Sequence, residues 1–124
     1  MNTHCEFNIL VGRTLACVDG QVGGEVMRFT TSNNERFLLY HNQECCESVS
    51  IEDICGDLAD LVGSPILQAE ESFSDDAHDG STESYESATW TFYRIATIKG
   101  QVVIRWLGTS NGYYSESVDF CKEN

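Results

Sequence analysis

The segment His41-Asn42-Gln43-Glu44-Cys45-Cys46-Glu47 concentrates the side chains most capable of chemistry. An imidazole and two thiols at this spacing suggest two sites. The first is zinc, with His41, Cys45 and Cys46 as candidate ligands and Cys55 or Cys121 completing a tetrahedral shell from another segment. No C-x-x-C pair exists, so the ligands have to be assembled from at least two parts of the chain. The second is a Cys–His nucleophile. A reactive thiolate needs an electropositive setting, and Glu44, Glu47, Glu52 and Asp53 surround these thiols in sequence, which works against it. The residues therefore read as non-catalytic. A plainer account is structural: one cysteine packs inward, the other faces out, and His41 hydrogen-bonds locally.

The acids around this cluster belong to a larger pattern. From Phe37 to Tyr93 the chain has no lysine or arginine and carries thirteen carboxylates. The remaining residues hold seven acids and seven bases, so the formal charge of −13 resides in the middle of the sequence. A field of this kind repels nucleic acid and attracts cations or basic surfaces. Seven scattered bases form no basic patch, so direct nucleic-acid binding is disfavoured. Carboxylate pairs for glycoside hydrolysis are recognised by a distance in space, so thirteen acids alone do not discriminate.

The elements that must position these residues read mainly as β. Thr14–Asp19, Glu25–Thr31 and Arg36–His41 are short runs of branched and aromatic residues between Gly- and Asn-rich turns. Ser87–Ile98 is the clearest strand, with Ala88, Trp90, Phe92, Ala96 and Ile98 on one face and Thr89, Thr91, Tyr93 and Thr97 on the other. Lys99-Gly100 turns it into Gln101–Leu107, and Asn111-Gly112 predicts a hairpin into Tyr113–Phe120, giving a three-stranded meander. Pro65–Phe73 is a further strand. One helix is expected near 51–62: Ser50 caps it, Asp53 follows three residues on, Ile51, Ile54, Leu58 and Leu61 form an apolar stripe, and Gly63 and Pro65 end it. Asp53, Asp57 and Asp60 would line its solvent face. Ser74–Ser84 reads as an acidic mobile loop. The fold class expected is α+β, mostly antiparallel β, in a single domain over residues 1–124.

Other motifs exclude more than they assign. Asp75-Asp76-Ala77-His78-Asp79-Gly80 lacks the alternating spacing of an EF-hand loop. Gly20-Gln21-Val22-Gly23-Gly24 is not a phosphate-cradling loop. No apolar run approaches the length of a membrane span. The start of the chain lacks a basic region followed by an apolar one, so six reduced thiols in a cytoplasm are expected. Tyr113 and Tyr114 are adjacent, so on a strand one faces the core and the other can meet a partner.

The combination His41-x-Gln43-x-Cys45-Cys46-Glu47, Gly56-Asp57-Leu58, Gly63-Ser64-Pro65-Ile66, Thr89-Trp90-Thr91-Phe92-Tyr93, Ile104-Arg105-Trp106 and Ser110-Asn111-Gly112-Tyr113-Tyr114-Ser115-Glu116 resembles a family of small, functionally uncharacterised proteins of tailed phages and prophages. The resemblance covers about Leu10 to Phe120. It imports no catalytic residues. It implies counter-defence work in a host cytoplasm, of the kind done by anti-CRISPR proteins. The leading expectation is an inhibitor that binds a basic surface of a host defence protein and blocks nucleic-acid access, with Glu47, Glu52, Asp53, Asp57, Asp60, Tyr113 and Tyr114 as partner contacts. The alternative is a sponge for a nucleotide-like immune signal, held by Tyr113 or Tyr114 with Arg105. Structural zinc is compatible with either.

Overall fold

A computed structural model describes residues 2–74, 87–111 and 114–123. It contains nine strands in two antiparallel sheets. The first sheet has β1 (Asn2–His4), β2 (Leu15–Asp19), β3 (Val26–Thr31), β4 (Arg36–Tyr40) and β9 (Asp119–Glu123), in the order β1-β9-β4-β3-β2. The second has β5 (Ser48–Cys55), β6 (Gln68–Ser74), β7 (Ser87–Thr97) and β8 (Gly100–Ser110), in the order β5-β8-β7-β6. One apolar cluster joins them, with Met27, Phe29, Phe37, Leu39 and Phe120 from the first sheet and Ile51, Tyr93, Ile95, Ile104 and Trp106 from the second. Phe7, on a short 3-10 turn (Phe7–Leu10), links the sheets: its ring lies 4.7 Å from Tyr93 and 5.1 Å from Phe120.

The mostly antiparallel β expectation holds, but among the described residues there is no α-helix. The segment expected to be helical is strand β5 followed by a 3-10 turn at Leu58–Leu61. A bulge explains the mistaken period. Ile51 pairs with Trp106 and Asp53 with Arg105, so Glu52 is the extra residue. The bulge flips the alternation, and Ile54 returns to the face of Val49 and Ile51, three residues on instead of two. The 3-10 turn then supplies its own three-residue spacing, Leu58 to Leu61. Asp57 caps that turn by accepting the Ala59 N–H at 3.0 Å.

One further expectation changes, and β7 settles which of its two faces is core. The core face of β7 is Thr91, Tyr93, Ile95 and Thr97, not the face of Trp90 and Phe92. The sandwich buries the tyrosine ring and the threonine methyls. Trp90 and Phe92 lie on the outer face of the second sheet with Arg105, whose guanidinium stacks 4.7 Å from the Trp90 ring. Ile98 tops the two-residue turn between β7 and β8 and is 83% exposed. The third strand of the predicted meander, β9, crosses to the first sheet, where it lies between β1 and β4.

Backbone contacts clip the sheets together. Gly23 N–H donates to Ile51 O at 2.7 Å, and Ile51 N–H donates to Gly24 O at 2.8 Å, so the β2–β3 turn is tied to β5 beside its bulge. Gly56 then turns the chain out of β5 at φ 116°, where a Cβ would stand 2.6 Å from Gln101 O. Gly56→Ala is expected to cost about 2 kcal/mol or more, from the strained φ and the backbone collision. A lower urea midpoint with unchanged m-value would register it.

Candidate functional site

The reactive segment found in the sequence leaves β4 and enters β5, so its conformation is set by loop chemistry. Glu47 organises it. Its carboxylate is buried and accepts the N–H of Glu44 at 2.8 Å and of Cys45 at 2.9 Å. Gln43 closes the loop from its other side, donating to Glu47 O at 2.6 Å and Cys45 O at 3.1 Å. His41 Nε2 lies 2.6 Å from the second carboxylate oxygen of Glu47, the one that also accepts from Glu44. His41 Nδ1 lies 2.7 Å from Ser117 O. A carbonyl can only accept, so Nδ1 carries a hydrogen. Burial by itself would raise the Glu47 pKa, but the His41 contact and the backbone N–H groups of Glu44, Cys45 and Glu47 bring it down to about 2. Both ring nitrogens of His41 and both carboxylate oxygens of Glu47 are thus engaged.

This pair has a pH signature. The Glu47 pKa is depressed in the fold, so its contribution to stability is present above the ordinary value of 4.5 and is lost as pH falls toward about 2. Denaturation midpoints measured across that window should fall more steeply for the native chain than for Glu47→Gln.

Cys45 and Cys46 sit at a bend, both exposed, with their sulfurs 2.7 Å apart. Neither packs inward, contrary to the plainer account. The Cys46 thiol is pushed up, first by its contact with Cys45, then by burial and the charges of Cys45 and Glu47. This is opposite to what a thiolate nucleophile requires. The Tyr114 hydroxyl contacts the Cys45 thiol. Among the described residues, no group of three or more His, Cys, Asp or Glu side chains is arranged to hold a metal ion. Both nitrogens of His41 are engaged, so the expected His41, Cys45 and Cys46 ligand set does not fit zinc as it stands.

Through Ser117, the loop is tied to a second buried carboxylate. Glu116 accepts Thr89 Oγ1–H at 2.8 Å and Ser110 Oγ–H at 2.5 Å and is 8% exposed. The segment 114–118 can lie this close to β8 because position 108 is glycine: a Cβ there would meet Glu116 O at 2.5 Å. Beside Glu116 a cavity of about 350 Å³ opens between this segment and the inner face of β6 and β7. Glu71, Phe73, Thr89, Thr91, Tyr114 and Glu116 contribute its chemistry, and among the described residues no lysine or arginine lines it. Tyr93 donates its hydroxyl to Glu71 at 2.6 Å, and burial followed by that contact pushes its pKa far up.

Of the expected partner contacts, Glu47 is buried in the loop, Glu52, Asp53 and Asp57 are exposed, and Asp60, on the 3-10 turn itself, is half-buried. Tyr114 lines the cavity, while Tyr113 and residues 75–84 of the expected loop lie outside the described residues. Glu116 and Gly108 escaped sequence reading, because nothing local marks an acid that folds back onto a strand.

Arg13 and Lys122 pair with Glu35, and Arg28 pairs with Glu123, so these bases meet acids outside the acidic window. Among the described residues, Glu44, Glu52, Asp53, Asp57, Glu70 and Glu71 are exposed and make no ion pair. The family model of a domain of unknown function, DUF7448, matches residues 8–120, and the chain belongs to that family. Comparison with curated proteins and with solved structures gave no match.

Proposed function

We propose that this DUF7448 chain is a non-enzymatic binding module that docks on a basic protein surface and takes a lysine or arginine side chain into the cavity at Glu116. The observation that carries this reading is a buried carboxylate held by two hydroxyls, with no cation beside it, at the wall of a cavity that also carries Glu71, Phe73 and Tyr114. Carboxylates supply the counter-charge, and an aromatic wall suits an aliphatic stem or a cation face. The unpaired acids Glu52, Asp53 and Asp57 extend the field and would speed encounter with a basic partner. On this reading the chain is a phage-type inhibitor, and the nucleic-acid channel of a host defence nuclease is a surface of matching charge. Pull-down from host cells at low and high salt tests it. A specific host protein lost at high salt supports the reading, and a salt-insensitive partner or none removes it.

A second reading rests on a different face. Trp90, Phe92, Arg94 and Arg105 share the outer surface of the second sheet, and the Arg105 Nε has no hydrogen-bond partner. Stacking rings beside guanidinium groups suit a nucleotide-like immune signal. Tyr114 lies on the inner side, so it would not share that ligand with Arg105. Thermal shifts with a panel of cyclic and ADP-ribose nucleotides, lost in Arg105→Gln, would favour this reading. Zinc, which would need ligands besides His41, is measured directly by elemental analysis of the purified protein.

A further inference from the structure

Adjacent residues on an extended chain send their side chains to opposite sides. Cys45 and Cys46 do not: their sulfurs converge to 2.7 Å at an exposed bend. The convergence is built by neighbours. The Glu47 carboxylate fixes the N–H groups of Glu44 and Cys45, and Gln43 bridges the carbonyls of Cys45 and Glu47. The loop is thus held at both ends of the dithiol by groups that do not depend on the sulfurs.

We propose that Cys45–Cys46 is an oxidative modification site, a vicinal dithiol that closes reversibly to a disulfide within the loop. With hydrogen peroxide as oxidant, the Cys45 sulfur attacks a peroxide oxygen and becomes a sulfenic acid, while the thiol proton passes to the departing hydroxide and forms the first water. The neighbouring thiol then attacks that sulfur and expels the second water. Two thiols and one peroxide give one disulfide and two waters. A thiol reductant reverses the step by exchange. The same pair, reduced, presents two sulfurs to trivalent arsenicals, which bind dithiols in preference to single thiols. Closure also removes the Cys45 thiol that the Tyr114 hydroxyl contacts, so the cavity wall senses the redox state.

The experiment treats the reduced full chain with peroxide and maps peptides by mass. The expected product is a monomer that has lost two hydrogens, with the loss confined to the peptide holding Cys45 and Cys46. It forms equally in the Cys17→Ser and Cys55→Ser variants and is restored by dithiothreitol. Cys45→Ser and Cys46→Ser each abolish it, and each also abolishes the binding of one phenylarsine oxide per chain. Tyr114 ring resonances should shift on oxidation of the native chain and not of Cys46→Ser. Sulfinic acid on a single cysteine, a disulfide-linked dimer, or arsenical binding that survives both serine variants would overturn the proposal.

Discussion

Gly108→Ala is expected to lose about 3 kcal/mol of folding stability and to open the cavity. The new methyl would stand 2.5 Å from Glu116 O and 2.8 Å from Glu116 Cβ. Its neighbour is mainly backbone, so no side-chain rotation relieves the contact. The segment has to move, and three attachments move with it. Glu116 leaves the hydroxyls of Thr89 and Ser110, and Ser117 O leaves His41. Ser110 is buried, and its hydroxyl loses the Glu116 carboxylate. Urea denaturation measures the loss, and broadened or shifted Tyr114 resonances report the cavity. Ser115→Ala is the control: this exposed residue touches Ser117 and should change stability by less than about 0.5 kcal/mol.

The second large effect concerns association rather than folding. Glu52→Lys with Asp53→Lys and Asp57→Asn should weaken binding to a basic partner by about a hundredfold at low salt, chiefly through the association rate. Glu52 and Asp53 are exposed and make no ion pair, but Asp53 lies opposite Arg105 across β5 and β8, so the stability of the variant is measured beside its affinity. Asp57 is changed to asparagine because its oxygen caps the 3-10 turn and an amide oxygen keeps that role. Surface plasmon resonance against the captured partner at two salt concentrations reads the effect. Unchanged affinity with unchanged stability would mean that these acids only solubilise the protein.

Much of the β architecture was legible because it is written locally. The turn at Asn33-Asn34 uses Asn34 at φ 66°, and the β7–β8 hairpin closes at Ile98-Lys99, one residue before the Lys99-Gly100 turn expected. The helix misread at 51–62 has a physical cause: a one-residue bulge at Glu52 and a 3-10 turn together imitate helical spacing. The choice of core face on β7 has a cause of its own. Tyr93 and its threonine neighbours are buried because Glu71 receives the tyrosine hydroxyl across the sheet, a pairing visible only once β6 is in register. At the candidate site, His41 and the two cysteines were evident from their types. Their arrangement was not, since Glu47 looked like one acid among many. Its carboxylate is held by His41 and two backbone N–H groups, and His41 is in turn held by the carbonyl of Ser117 from far along the chain.

The most direct measurement is a chemical-shift titration with a short peptide carrying one arginine or lysine between neutral residues, at low salt. A cation-accepting cavity predicts saturable shifts at Thr89, Thr91, Tyr114 and Glu116, with affinity at least about tenfold weaker in Glu116→Gln. Shifts that never saturate, that map away from these residues, or that persist unchanged in Glu116→Gln would contradict it.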